Sequence, residues 1–187
     1  MKKIILVILG YSLIFTACKK DNPSTTNLTI NFTQTVDGVD LTTNTMTYTN
    51  AAGEDYSIQT LKYLISDITL HADDGNTLLL DEVHFIDIPD ASTSSFTYDN
   101  LANNNYTSIS FDMGLDTTKN KPAYYLNIED FHSTMWWPLV GQGGMNMGGG
   151  YHYMKLEGDY NNMLQGYNTH TGGTMGNDYS FNKSFVI

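Results

Sequence analysis

Histidine, methionine and tryptophan side chains are concentrated in one part of the chain. Residues 135–158 read MWWPLVGQGGMNMGGGYHYMKLEG, and six of the nine methionines fall between Met135 and Met175. Thioether and imidazole groups together form a ligand set that copper prefers, above all Cu(I). Cys18 is the only cysteine, so the ligand set has no thiolate to add from elsewhere in the chain. The residue types therefore suggest a soft-metal site, and the competing interpretation is that these are ordinary core and loop methionines.

The five histidines do not form a compact motif in the sequence. None lies in HExxH or in another tight zinc spacing; they are His71, His84, His132, His152 and His170. His71 ends a predicted strand at a hairpin, so we expect it to be solvated. His170 stands in THTGG, where the two glycines would let the backbone approach a ligand closely. If a metal site exists, it must be assembled by the fold from distant positions.

The methionines of the glycine run cannot pack a regular element. Met145 and Met147 lie within GQGGMNMGGG, residues 141–150. The run is not a phosphate-binding loop, because no lysine follows it and no helical pattern begins there. We expect it either to fold onto a metal, with Met145 or Met147 as a soft ligand, or to remain a lid that touches nothing. Because no GxSxG or other nucleophile arrangement occurs either, we expect a protein that is not an enzyme.

The N-terminal residues predict export and a lipid anchor. Lys2 and Lys3 precede an apolar run that is too short to span a bilayer and is typical of a secretory leader. Small residues directly before Cys18 predict a lipoprotein cleavage site at which the cysteine becomes acylated. An ordinary signal peptide with an incidental cysteine is the alternative.

This interpretation divides the chain into three parts. We expect a lipoprotein signal peptide over 1–17, a polar tether over 18–27 and one folded domain over 28–187. The protein would then lie at the outer membrane or the cell surface, on its periplasmic or extracellular face, and its lipid anchor would attach it to the membrane. Without the leader, seven lysines and no arginine remain against all twenty acidic residues, a net charge of about −13. That charge argues against nucleic acid as a partner and is compatible with cation binding.

The apolar pattern after the tether is that of an all-β protein. Short segments alternate between apolar and polar residues and are separated by turn residues, which predicts a β-sandwich. The predicted strands are 28–33, 45–48, 61–70, 78–88, 106–113, 151–157 and 180–187. The segment 61–70 could also form a short helix, but its β-branched residues favour a strand. In the segment 151–157, strict alternation places His152, Met154 and Leu156 on one face. We expect a single core and a long irregular excursion, rich in glycine and methionine, over 120–149; the core residues are Phe32, Tyr63, Ile65, Leu80, Phe85, Ile109, Phe111, Leu156 and Phe185.

Several of these segments, taken in order, resemble the MbnP-like copper-binding family. The matching blocks are LKYLISDITL (61–70), VHFID (83–87), YTSISFDMGLD (106–116), MWW (135–137), GYHYMKLEG (150–158) and THTGG (169–173). The resemblance implies a β-rich extracytoplasmic domain that binds one copper ion. In some members the site uses histidines and a tryptophan oxidised to kynurenine, formed by a dihaem peroxidase-like partner.

The family roles transfer unevenly onto this sequence. His170 matches the histidine-x-glycine block, and either Trp136 or Trp137 matches the tryptophan block. His84 lies in the strand before the family aspartate, where histidine occurs in some members. His132, His152 and Met135 have no secure counterpart, and we add them as candidate ligands because of their residue types. The insert between Trp137 and Gly150 is longer than the family spacing.

The leading hypothesis is therefore an extracytoplasmic copper-binding lipoprotein, a scavenger or carrier of copper. The alternative is a non-enzymatic adhesion or glycan-binding lipoprotein. In that case the tryptophans and tyrosines would stack on sugars, and Asp73, Asp74 and Asn76 would hold calcium. Copper requires at least two histidines near a common point, whereas glycan binding requires exposed tryptophans.

Overall fold

The computed structural model describes residues 24–173 and 177–187. The predicted signal peptide, Cys18 and Met175 lie outside these residues. Within the described part of the chain, no helix is long and apolar enough to cross a membrane.

Over the described residues the chain folds into antiparallel strands with one short helix, which confirms the all-β prediction. Two 3-10 turns, Ala91–Ser94 and Gln142–Gly144, accompany them. The elements are β1 Thr25–Asn31, β2 Thr35–Val36, β3 Val39–Asp40, β4 Tyr48–Thr49, β5 Asp55–Tyr56, β6 Thr60–Ala72, β7 Thr77–Asp87, β8 Ser95–Ala102, β9 Tyr106–Met113, α1 His132–Met135, β10 Trp136–Trp137, β11 Gly150–Tyr160, β12 Gln165–Gly172 and β13 Phe181–Val186. The first strand thus begins three residues before the predicted domain boundary.

The central sheet is built around the long strand β6. Its path runs β13-β9-β6-β11-β5-β4, while β7 also pairs with β6, and β10 and β12 pair with β11. A separate two-stranded sheet, β1–β8, lies over one face, where Ile30 and Phe96 pack against the buried cluster of Ile65, Ile68 and Ile86. The predicted turn at Asp73–Asn76 joins β6 to β7, and its Gly75 adopts φ +84°, a conformation that glycine enters without strain.

The apolar side chains form two clusters, so the prediction of a single core is wrong. One cluster surrounds Ile65, Ile68 and Ile86 and includes Phe32, Tyr63, Leu80, Ile109 and Phe111. The other contains Leu64, Leu115, Tyr125, Phe131, Met135, Tyr151 and Tyr153, and Phe85 packs against it. The physical reason is that β6 is buried on both sides, so neighbouring residues such as Leu64 and Ile65 enter different clusters. Phe185, also predicted to be core, is 52% exposed on β13.

The excursion over 120–149 contributes to the core instead of lying free of it. Tyr125, Phe131 and Met135 from this segment are buried in the second cluster. The backbone N–H of Tyr125 donates a hydrogen bond to the Tyr151 hydroxyl, 2.8 Å away. Short aromatic anchors therefore hold α1 and β10 against β11, even though the segment has little regular structure.

Candidate functional site

A pocket opens where β10, β11 and β12 meet the ends of β9 and β13. Its volume is about 580 Å³. Imidazole, thioether and aromatic side chains make up most of its wall. The lining residues are Met113, Trp137, Tyr151, His152, Tyr153, Met154, His170, Thr171, Gly172, Gly173, Tyr179 and Phe181.

An irregularity in the β11–β12 ladder brings two of the five histidines together. Lys155 pairs with His170, but after a register shift between His152 and Met154, His152 pairs with Gly172 instead of Gly173. Directly paired residues project to the same face, and so do residues two apart on one strand. The shift therefore moves His152 onto the face of His170, and the two ring centroids lie 4.7 Å apart. The strict alternation predicted for 151–157 is wrong at this point.

His152 is buried and chemically available. The residue is 5% exposed, and within the described part of the chain no hydrogen bond or ion pair engages its ring. Burial, reinforced by the electrostatic effects of Lys155 and His170, lowers the pKa of His152 to about 3. The ring is therefore neutral at physiological pH. A neutral imidazole that lines a pocket and has no hydrogen-bond partner among the described residues can offer a ring nitrogen lone pair to a ligand there.

His170 is held from the opposite side by a carboxylate. Its Nε2 lies 2.6 Å from Oε1 of Glu157, and its side chain is 26% exposed. Burial alone would raise the pKa of Glu157, but hydrogen bonds from His170 and Thr60 outweigh this effect and lower it. The Glu157 carboxylate is thus ionised and acts only as an acceptor toward the imidazole.

Trp137 completes this group of side chains. Its ring meets His152 edge-on with centroids 4.5 Å apart, and its Nε1 donates to the Met147 carbonyl at 2.5 Å. The glycine-rich run therefore contacts the site through its backbone. Met145 is 66% exposed, and neither it nor Met147 is among the described residues lining the pocket. The Met147 side chain lies instead against Gly141, where a Cβ would come within 2.8 Å of it.

The remaining predicted histidine ligands lie elsewhere and have other partners. The His84 ring lies between Phe32 and Phe96, its Nε2 is 2.9 Å from the Thr93 carbonyl and its Nδ1 is 3.3 Å from Asp81. The Nδ1 of His132 is 2.9 Å from the Tyr151 hydroxyl.

Three further side chains named in the sequence analysis lie outside the described pocket lining. Met135 is fully buried in the second apolar cluster, where it packs with Phe131 and Tyr151. Trp136 faces His132 and Tyr151 and does not appear among the described residues lining the pocket. His71, which we expected to be solvated, is half-buried with its Nε2 2.7 Å from the Ser110 hydroxyl.

Three features in or beside the pocket were missed from the sequence. Met113 ends β9 without any local signal of a site, and nothing in the sequence singled out Glu157, which bonds to His170 from outside the pocket. The strand β12 itself was not predicted, because QGYNTHTG carries little apolar alternation. The THTGG block was the one available sign that His170 stands in a special place.

The structure does not favour calcium at the β6–β7 turn. Asp74 accepts hydrogen bonds from the backbone and side chain of Asn76 at 2.9 and 2.8 Å, and Asp73 accepts one from Asn105 at 2.6 Å. Among residues 24–173 and 177–187, no group of three or more His, Cys, Asp or Glu side chains is arranged to hold a metal. A metal at the pocket would thus rest on two imidazoles supplemented by other donor types.

Comparison with known proteins identifies the family. The family model MbnP matches residues 25–186. The chain belongs to the MbnP family. Among solved structures it is similar to MbnP from Methylosinus trichosporium, with a TM-score of 0.55 and 10% sequence identity, over 87% of this chain and 71% of that one. At this identity the likeness shows a shared fold. A search of curated proteins gave no significant match.

Proposed function

We propose that this MbnP-family protein is an exported copper-binding lipoprotein, a scavenger or carrier rather than a catalyst. The observation that carries the proposal is the pair His152 and His170, whose ring centroids lie 4.7 Å apart beside Trp137. Two imidazoles in a pocket are what the copper hypothesis requires. Both tryptophans are half-buried, which leaves little free ring surface for stacking on sugars.

The donor types fit Cu(I). Imidazole coordinates only when unprotonated, and the lowered pKa of His152 keeps that ring neutral. Met113 and Met154 add thioether groups to the pocket wall. Thioether ligands favour Cu(I), while Zn²⁺ gains little from them. A bound copper ion would supply a reversible soft-metal binding centre, which suits transport, and the net negative charge raises the local cation concentration.

Of the two candidate tryptophans, we assign the family position to Trp137. It contacts His152 and lines the pocket, whereas Trp136 contacts His132 and Tyr151. If this protein undergoes the tryptophan oxidation found in some members, Trp137 is the residue modified, by a dihaem peroxidase-like partner in the same envelope. Trp136 then remains unmodified.

Copper titration tests the proposal. Wild-type protein should compete with a Cu(I) chelator and should bind Zn²⁺ more weakly. His170→Ala should weaken Cu(I) binding at least tenfold, about 1.4 kcal/mol, with the fold intact by circular dichroism. His71→Ala is the matched control, because that ring is hydrogen-bonded to Ser110. Absence of Cu(I) binding in wild type would overturn the proposal.

Membrane anchoring has a separate test. Cys18→Ser removes the side chain that we expect to be acylated, so the protein should move from the membrane fraction to the soluble fraction of the envelope. Metabolic labelling with a fatty acid should mark wild type and leave the variant unlabelled. A variant that stays as firmly membrane-bound as wild type would contradict the lipoprotein prediction.

A further inference from the structure

The strands β6, β11 and β12 carry a line of hydrogen-bonded side chains that ends at the pocket. Glu157 lies on β11, pairs with Thr60 on β6 and also accepts a hydrogen bond from the Thr60 side chain. On the other side it bonds to Nε2 of His170 at 2.6 Å. His170 then lies beside His152 in the pocket wall. Thr60 and Glu157 do not line the pocket, and their hydrogen-bonded connection to it runs through His170.

Among the described residues, no lysine forms an ion pair with Glu157, so none competes with His170 for its carboxylate. Lys155, two residues earlier on the same strand, donates instead to the Thr134 carbonyl at 2.6 Å. Lys155 is therefore hydrogen-bonded to α1, and the Glu157 carboxylate pairs with the imidazole of His170. With its side chain 31% exposed, Glu157 is also partly shielded from solvent, which strengthens a charge-assisted hydrogen bond.

We propose that Glu157 is a positioning residue that fixes the tautomer of His170 and selects the nitrogen that binds metal. An ionised carboxylate has no proton to donate, so the bond requires a proton on Nε2. A neutral imidazole carries only one ring proton, which leaves the lone pair on Nδ1. His170 therefore coordinates through Nδ1. This inference rests on the proposed function, because it assigns a role toward the metal of that same pocket.

The physical gain is preorganisation. A partly exposed histidine without such a partner rotates about its Cβ–Cγ bond and exchanges between tautomers, and only some of these states present a lone pair to the pocket. A carboxylate bonded to the far nitrogen removes those alternatives and makes the ring a better donor. Loss of such a partner typically weakens metal binding by roughly 10- to 100-fold. Among the described residues, His152 has no carboxylate partner of this kind, and burial and ring contacts hold it in place.

Nitrogen-15 NMR of the metal-free protein tests the tautomer directly. Wild type labelled at histidine, at a pH where the rings are neutral, should show His170 protonated at Nε2 and bare at Nδ1, the signals being assigned by their loss in His170→Ala. In Glu157→Gln the amide can donate as well as accept, so His170 should become a mixture of tautomers. After addition of Cu(I) to wild type, the Nε2 proton should persist while the Nδ1 resonance shifts.

Copper affinity is measured on the same proteins with a competing Cu(I) chelator. Glu157→Gln should bind about tenfold more weakly than wild type. Asp159→Asn is the matched control: it makes the same carboxylate-to-amide change two residues along β11, where Asp159 bonds to Gln59 instead of a histidine. It should leave both the His170 tautomer and the affinity unchanged, which separates a specific hydrogen bond from the loss of one negative charge.

The outcomes separate this inference from the proposed function. If wild type binds Cu(I) while Glu157→Gln keeps the wild-type tautomer and affinity, the positioning role is overturned and the copper site stands. The same holds if Cu(I) shifts Nε2 of His170 and displaces its proton. If wild type fails to bind Cu(I), the proposed function falls and the role of Glu157 toward a metal falls with it, whatever the tautomer shows.

Discussion

In the described part of the molecule, adjacent tryptophans form two tryptophan–histidine pairs, and only one of these pairs lines the pocket beside a second histidine. Trp137 contacts His152 with ring centroids 4.5 Å apart, and Trp136 contacts His132 at 5.3 Å. The two tryptophans occupy successive positions of β10, so their side chains point to opposite faces. Similar residue pairs therefore lie in different surroundings, and the surroundings decide their chemistry.

The difference lies in what satisfies each imidazole. The Nδ1 of His132 bonds to the Tyr151 hydroxyl at 2.9 Å, and that hydroxyl also accepts the Tyr125 N–H. This pair is part of the packing of α1 against β11. His152 makes no such bond among the described residues and has a second imidazole beside it instead. A histidine in contact with a tryptophan is thus not by itself a reason to propose a metal site; the reason here is a second imidazole beside a ring that has no hydrogen-bond partner among the described residues.

The largest expected effect on Cu(I) affinity comes from removing the histidine of the first pair, whereas the same change in the second pair should have little effect. His152→Ala should weaken Cu(I) binding by about a hundredfold, roughly 2.7 kcal/mol, because it removes the buried ligand that is held neutral in the pocket. His132→Ala should change Cu(I) affinity less than threefold and instead lower thermal stability, since it leaves the Tyr151 hydroxyl without one partner. Chelator competition and thermal unfolding of both variants measure the contrast. Equal loss of copper affinity in the two variants would show that the comparison is wrong.

The fold was predictable from the sequence where local pattern and burial agree. The strand predicted over 106–113 and the turn at Asp73–Asn76 were found as expected, because clean alternation and a turn-forming tetrapeptide are local signals. The strand β12, which was not predicted, has the opposite character. It is mostly exposed and rich in polar residues, so its pairing with β11 decides its structure.

The site could be predicted only in part, for a similar reason. His170 and the tryptophan pair stood out by motif. The position of His152 beside His170, however, depends on one register shift between His152 and Met154. Such irregularities arise from tertiary packing and leave no reliable mark on a short segment. Met135 was named as a candidate ligand because of its residue type, whereas the structure places it in the second apolar cluster, because the excursion folds inward.

A second, smaller effect uses the acid sensitivity of the buried imidazole. The pKa of His152 is lowered to about 3 in the folded state, whereas an unfolded histidine titrates near 6.5. Below pH 6.5 the unfolded chain takes up a proton that the folded chain refuses, so stability falls as the pH drops from about 6.5 toward 3. We expect a contribution of about 2 kcal/mol, less than the full pKa shift implies, because the ring borders a pocket open to solvent.

Urea unfolding of the metal-free protein at pH 7.5 and pH 4.5 measures this contribution. His152→Gln should lose less stability between the two pH values than wild type, because glutamine does not titrate. His71→Gln, which removes a histidine hydrogen-bonded to Ser110, should keep most of the wild-type loss. An unchanged acid dependence in His152→Gln would mean that the ring is not held neutral by burial.

The smallest expected effect separates the adjacent tryptophans. Trp136→Phe trims a ring that packs against the second apolar cluster and contacts Tyr151 at 5.6 Å, so it should cost about 1 kcal/mol of stability and leave copper binding unchanged. Trp137→Phe also loses the Nε1 bond to the Met147 carbonyl and should loosen the glycine-rich run. Its cost should appear as a few-fold loss of Cu(I) affinity, because the run helps to fix the indole beside His152.

In protein isolated from its native envelope, peptide mass spectrometry should place any tryptophan oxidation at position 137 in wild type and in Trp136→Phe. Oxidation found at Trp136 would contradict the assignment of the family tryptophan position to Trp137.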